Sequence, residues 1–209
     1  MSFIIAFVGL PASGKSFFSK KIAEKFGYPL FEEPATQILS ESSYISAGFR
    51  LPYEFDERVF EMNRRRIEET SQLLSKTPVV WESHMLTDAT FLMGRAFFGD
   101  RDPKRFKLLQ KYQSGLMNEL KEKTIFVILD IDPEISLQKQ KERGNPRLLT
   151  PDLKLLKYVR NSFLNFYKKN KKNSILIDVT NKSEKEVLKE IESKLREKIE
   201  ELKKKLENN

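Results

Sequence analysis

The chain contains no cysteine and one histidine, His84, in 209 residues. Without thiols, disulfide frameworks, cysteine zinc sites, iron–sulfur clusters and cysteine nucleophiles are excluded, and a reducing or hot intracellular compartment suits the chain. One imidazole is too few for a histidine-rich metal site. Long hydrophobic runs are also missing. The apolar stretch at 3–8 falls far short of the ~20 residues that a membrane-spanning helix needs, and no positively charged segment precedes it as in a signal peptide. The expectation is a soluble, cytoplasmic protein with no membrane partner. Internal repeats and low-complexity linkers are likewise absent. A chain of this length buries roughly 70% of its unfolded surface in one core, which predicts a single domain over 1–209.

What the chain has is an excess of positive charge. It carries 38 Lys+Arg against 30 Asp+Glu, a formal net charge of +8. Most of this lies at 139–172, where eleven Lys/Arg face only Glu142 and Asp152; that local excess of nine leaves the rest of the chain at −1. Such a stretch suits nucleic acid, an anionic membrane or phosphorylated small molecules. Its confinement to one segment favours the phosphates of a small ligand over a long polyanion. A second charged segment mixes Lys with Glu and carries Val187, Leu188, Ile191, Leu195, Ile199, Leu202 and Leu206 at steps of three and four. That spacing predicts an amphipathic helix over about 183–207, docked by its stripe or, alternatively, projecting to mediate dimerisation.

The continuous apolar run at 3–8 reads as a strand buried on both faces. Helical spacing of Phe17, Phe18, Ile22, Ala23 and Phe26 predicts a helix over 15–26 that Gly27 ends. Further strands are expected at 28–31, 77–81, 124–131 and 174–179, with helical stretches between them, one of them at 34–47. Strands alternating with helices imply crossover connections and a parallel sheet, an α/β fold.

Between the first strand and the first helix stands Gly9-Leu-Pro-Ala-Ser-Gly14-Lys15-Ser16, which fits the phosphate-loop pattern G-x-x-x-x-G-K-[ST]. Glycines let the backbone approach phosphate oxygens, so that successive N–H groups and the helix N-terminus face the anion. Gly9, Pro11, Ala12, Ser13, Gly14, Lys15, Ser16 and Phe17 are therefore the expected nucleotide-binding residues. Lys15 is placed on the β- and γ-phosphates and Ser16 on Mg²⁺. Glu33 follows the second strand, at the edge where open α/β sheets bind ligands, and a phosphoryl acceptor hydroxyl profits from a base there. The plain alternative is that Glu32 and Glu33 merely complement the positive N-terminus of the next helix. Glu82, at the end of the third strand, is the second candidate carboxylate, for Mg²⁺ and for substrate.

The order of elements resembles the P-loop nucleoside and nucleotide kinases, and most of all the deoxynucleoside kinase family. The residues that carry the resemblance are Glu33-Pro34, the run Leu129-Asp-Ile-Asp-Pro133-Glu, then Leu137, Lys141-Glu-Arg143-Gly144 and the stretch 163–167, so that it covers most of 1–180. Residues 32–66 also look like the nicotinamide riboside kinase-like P-loop ATPases. The resemblance implies a three-layer P-loop NTPase fold with a five-stranded parallel sheet in the order 2-3-1-4-5, and a lid near 139–150. It implies Mg²⁺ and ATP as cofactors, Glu33 as general base on a sugar hydroxyl, and Arg143 with Arg147 clamping the transferring phosphoryl group. The sequence departs from the family at Ser83, where an arginine is expected after Glu82, and at Asn145, where a second lid arginine is expected. His84 is a stand-in for the missing arginine or an ordinary loop residue. Asn63 stands near the family's base-reading glutamine and offers a shorter amide. Of Arg64, Arg65 and Arg66 on the helix beginning near Tyr53, at most two can face the cleft, and Arg64 is taken as an acceptor contact. Phe91, Phe97, Phe98 and Phe106 are expected in the core.

The expected function is Mg²⁺-ATP-dependent phosphoryl transfer to a nucleoside or deoxynucleoside. A thymidylate kinase-like enzyme acting on monophosphates, and a regulatory or nucleic-acid-associated ATPase, are the alternatives. The expected partner is a small-molecule nucleoside or nucleotide rather than nucleic acid, with a homodimer as the family-like assembly.

Overall fold

A computed structural model describes residues 2–41, 51–99, 102–113, 120–144, 150 and 152–207. Strand β1 (Ile4–Gly9) is buried along its whole length, as a strand at the centre of a parallel sheet must be. It pairs with β3 (Val79–Trp81) on one side and β4 (Thr124–Asp130) on the other. The edges are β2 (Leu30–Phe31), beside β3, and β5 (Ser174–Asp178), beside β4. All four pairings are parallel, and the order is β2-β3-β1-β4-β5. This is the order expected from the resemblance.

Successive side chains of β1 point to opposite faces and so feed two cores. Phe3, Ile5 and Phe7 join α1 (Lys15–Phe26), α7 (Leu153–Lys169) and α8 (Glu184–Glu207) on one face. Ile4 and Ala6 join Val79 and Trp81 under α3 (Tyr53–Leu73), α4 (Met85–Phe98) and α5 (Pro103–Lys111) on the other. A third cluster, Ile38, Leu39, Leu51, Phe55 and Val59, ties α2 (Pro34–Glu41) to α3. The stripe Val187, Ile191, Leu195, Ile199 and Leu202 of α8 is buried in the first core, so this helix docks rather than projects. Asp132 caps α6 (Pro133–Glu142), accepting from the N–H groups of Glu134 and Ile135.

The strands are shorter than the sequence predicts. Tyr28 stays outside β2 because its N–H donates to Ala23 O at 3.0 Å, closing the end of α1. Thr77 still closes the turn after α3, its N–H donating to Leu73 O at 3.0 Å, and Pro78 has no N–H to give the ladder. The expected helix at 34–47 is seen as Pro34–Glu41, and 42–50 lie outside the described residues. Phe97, Phe98 and Phe106 depart from the core expectation: they are 51%, 39% and 37% exposed, on α4 and α5. Among the described residues no helix is long and apolar enough to cross a membrane.

Candidate active site

Because the strands are parallel, their C-terminal ends share one edge, where the loops after β1, β2 and β3 converge. The loop after β1 turns sharply: Ala12 has φ 60° and Gly14 has φ 93°. Gly14 is required twice, by that left-handed angle and because a Cβ would lie 2.6 Å from the Phe18 ring. Gly9 is required by close approach, since its Cβ would meet Ser13 Oγ at 2.6 Å and Leu129 O at 2.9 Å. Helix α1 begins without a side-chain cap, which leaves its first N–H groups for an anion. The loop is pinned from behind by Ser136 Oγ of α6, which donates to Pro11 O at 2.7 Å.

Lys15 and Ser16, the first residues of α1, point to two carboxylates. Lys15 Nζ donates to Gly9 O at 3.3 Å and lies 3.8 Å from Glu33 Oε1. Ser16 Oγ donates to Glu82 Oε1, and Glu82 Oε2 accepts from the Glu33 N–H at 3.3 Å. Glu33 also accepts from Thr36 Oγ1 at 2.6 Å. Burial opposes ionisation of Glu33, but the Lys15 ammonium and the Thr36 hydroxyl outweigh it and hold its pKa below the ordinary value. The expected phosphate-loop lysine, metal-side serine, base and strand-end carboxylate thus form one connected group.

Lys15, Ser16 and Glu33 floor a cavity of about 430 Å³, whereas Glu82, expected to touch substrate, is buried behind Ser16 and outside its lining. One wall comes from α2 and α3 with Leu39, Phe55, Asp56 and Val59, the other from α4 with Thr87, Asp88, Phe91 and Arg95. Asp56 ties the walls together. It accepts from Arg95 and, at 2.8 Å, from Arg105 Nε, with all three side chains buried. Asp88 accepts from Asn63 Nδ2 at 2.8 Å, and burial, with the charge of Glu33, pushes its pKa up to about 7. The buried Thr87 hydroxyl has no hydrogen-bond partner among the described residues. A second cavity of about 400 Å³ lies beyond the loop, with Phe17, Lys139, Val179, Lys182 and Val187 in its lining. Ala12, Gly14, Phe17 and Arg143 line both, so the phosphate loop is the partition between two ligand-sized spaces.

Several expected residues fall elsewhere. Arg64 is not at the cleft: it is an exposed side chain paired with Glu61 at 3.0 Å and with Glu68, because it sits opposite the buried stripe of α3. Asn63 is fully buried behind the cavity, donating to Asp88 and accepting from Arg66. It therefore orients Asp88 rather than lining the cavity. His84 lies in the connection between β3 and α4, as a loop residue, and is not a substitute cation. It caps α4, its Nδ1 accepting from the Leu86 N–H at 3.0 Å, and burial first and Arg66 second lower its pKa to about 3. Arg143 is exposed just after α6 at the mouth of both cavities. Arg147 and Asn145 lie outside the described residues.

Asp56, Asp88, Arg95 and Lys182 escaped the sequence reading. A signal existed for the first three. Asp56 and Asn63 on α3, like Asp88 and Arg95 on α4, are seven residues apart and so share a helix face with buried apolar residues such as Val59 and Leu92. Polar groups recurring on an apolar face mark a buried network.

The deoxynucleoside kinase profile matches residues 5–203. No curated protein sequence matches the chain. Among solved structures, a deoxyadenosine kinase from M. mycoides with bound dATP has a TM-score of 0.73 at 18% identity, covering 93% of this chain and 99% of that one. The same enzyme with the products dCMP and a flexible dCDP bound gives 0.72 at 18% identity, with 93% and 99% covered. A thymidylate kinase from Candida albicans gives 0.71 at 16% identity, covering 96% of this chain and 93% of that one. At such identities these structures speak for the fold, whereas the profile spans nearly all of the chain. The chain belongs to the deoxynucleoside kinase family, as an enzyme that transfers a phosphoryl group from a nucleotide donor to a nucleoside.

Proposed function

We propose that the donor is Mg²⁺-ATP, bound with its phosphates on the loop and its base in the second cavity, and that the acceptor nucleoside occupies the 430 Å³ cavity. The observation that carries this is the position of Glu33. Its carboxylate lies 3.8 Å from the phosphate-loop ammonium and also lines the acceptor cavity. A base at that boundary can take the proton from an acceptor hydroxyl as the hydroxyl attacks the terminal phosphorus. Lys15 then turns from Gly9 O and Glu33 to the β- and γ-phosphates. Arg143, and Arg147 beyond the described residues, neutralise charge on the transferring group and close the site against water.

The residues present suit a magnesium ion. The Ser16 hydroxyl touches the Glu82 carboxylate beside the loop, two hard oxygen donors of the kind Mg²⁺ takes alongside substrate phosphates and water. Among the described residues no group of three or more His, Asp or Glu could hold a metal alone, and an ion shared with phosphates does not need one. When bound, the ion offsets the negative charge of the β- and γ-phosphates.

A nucleoside suits the acceptor cavity better than a monophosphate. Arg95, a guanidinium in its walls, is already held by Asp56, and Arg64 is at the surface. The test is label transfer from γ-³²P ATP to a panel of nucleosides, deoxynucleosides and their monophosphates, with Lys15→Ala as the blank. Labelled nucleoside monophosphate supports the reading. Label only in diphosphates assigns the thymidylate kinase-like alternative, and release of phosphate without acceptor dependence contradicts both.

A further inference from the structure

One buried hydroxyl on the wall of the acceptor cavity has nothing to bond. Thr87 stands in the first turn of α4, is 3% exposed and lines that cavity. Its backbone N–H donates to His84 O at 2.8 Å, whereas its Oγ1 has no hydrogen-bond partner among the described residues. The other buried side-chain atoms in that condition are Ser13 Oγ, Arg66 Nε, Ser83 Oγ and Ser174 Oγ. None of those four residues lines the acceptor cavity.

A threonine on a helix has an ordinary refuge for its hydroxyl, the carbonyl four residues back. Thr90 uses it, its Oγ1 donating to Leu86 O at 2.7 Å. For Thr87 the corresponding carbonyl is that of Ser83, which already accepts from Arg66 Nη1 at 2.8 Å. A buried hydroxyl without a partner costs stability. Valine has nearly the same shape and a similar helix propensity, so packing and helix formation alone do not call for threonine here. Other polar groups of the cavity wall are engaged within the protein. Arg95 is held by Asp56, Thr36 donates to Glu33, and Gln140 bonds both Ser136 Oγ and the Thr150 N–H. The Thr87 hydroxyl keeps its whole capacity, one O–H to give and two lone pairs to receive with.

We propose that Thr87 is a specificity-determining contact of the acceptor. Its Oγ1 pairs with a hydrogen-bonding group of the nucleoside, on the sugar or on the edge of the base, and so selects against compounds that lack this group. The proposal rests on the nucleoside occupying this cavity. Selection follows from burial: an acceptor that carries the group completes the hydroxyl, and one without it leaves the hydroxyl unpaired in a site closed to water. Thr87 does not line the second cavity, so the contact bears on the acceptor and not on the donor.

Thr87→Val removes the hydroxyl and keeps the shape. Its kcat/KM for an accepted nucleoside should fall about tenfold, while the KM for ATP stays within twofold. The urea midpoint of the unliganded protein should rise, because an unpaired buried hydroxyl has been removed. These opposite signs separate an acceptor contact from a structural one. A Thr87→Val chain that unfolds more easily than wild type, or fails to fold, shows that the hydroxyl is answered without the acceptor and overturns the proposal. Unchanged kcat/KM for the acceptor overturns it too. Thr87→Ser keeps the hydroxyl and should return kcat/KM to within threefold of wild type. Nucleosides that each lack one group, a sugar hydroxyl or a polar atom of the base edge, then locate the contact. On the analogue missing the contacted group, wild type and Thr87→Val should become equal; a difference that persists on every analogue overturns a direct contact. Wild-type label transfer to monophosphates alone would remove the nucleoside reading itself, and does so without reference to Thr87.

Discussion

Replacing Asp88 with asparagine should change how stability depends on pH. The carboxyl is buried and its pKa is raised from 3.8 to about 7, so the folded state holds this proton more tightly than the unfolded state does. Below about pH 4 both states are protonated and the group is neutral in its effect. As pH rises toward 7 the unfolded chain ionises freely while the folded chain resists, so folding loses stability through that window and reaches a plateau above it. The shift of about three units corresponds to about 4 kcal/mol at the plateau, of which about 3 kcal/mol accumulates between pH 5 and pH 8. Asparagine keeps an oxygen to accept from Asn63 Nδ2 and cannot ionise. Asp88→Asn should therefore gain on wild type by about 3 kcal/mol between those pH values, whatever constant offset the substitution brings. Urea unfolding followed by the fluorescence of Trp81, the one tryptophan, measures the difference. Parallel stability profiles would refute the reasoning, and so would a gap that widens toward acid.

Asp56→Ala leaves Arg95 and Arg105 buried without their shared carboxylate, and denaturant unfolding should show a loss of about 3–5 kcal/mol. Gly14→Ala forces a left-handed angle on a residue with a Cβ and drives it into Phe18. Calorimetric titration should show ATP affinity falling by at least tenfold. Arg64→Ala removes only surface pairs, so kcat and both KM values should stay within twofold in steady-state assays. Lys182 lines the second cavity but not the first. Its replacement by alanine should raise the KM for ATP several-fold and leave that for the acceptor in place.

The sheet and the phosphate loop were legible because local rules decide them. A continuous apolar run of six residues that ends in a glycine loop is too short for a buried helix and reads as a doubly covered strand, and Gly9, Gly14, Lys15 and Ser16 are fixed by what one backbone turn must do around an anion. Glu33 and Glu82 could be named from their places at strand ends. The acceptor cavity was not legible in the same way, because its polar groups act through partners distant in the chain. Asp56 meets Arg105 across 49 residues and Asn63 meets Asp88 across 25, and no local spacing records such pairs. Asn63 is polar and near the site, but its hydrogen bonds to Asp88, Tyr112 and Arg66 turn it inward. In the arginine run the helix period alone separates the surface residue Arg64 from the buried Arg66, and the phase of that period is set by Val59, Phe60 and Ile67 in the core. Phe97, Phe98 and Phe106 show the converse, since aromatic character carries no information about which side of α4 and α5 is covered.

The central claim is that Glu33 deprotonates the acceptor while Lys15 and the loop hold the donor. Single-turnover transfer from ATP to an accepted nucleoside, in wild type and in Glu33→Gln, tests it most directly when the ATP dissociation constant of each protein is measured alongside. Loss of a general base should slow transfer by about 10²–10⁴-fold, and ATP should bind Glu33→Gln at least as tightly as wild type, because Lys15 no longer has a carboxylate 3.8 Å away to leave. Transfer within twofold of wild type by a Glu33→Gln protein that binds ATP normally would contradict the account.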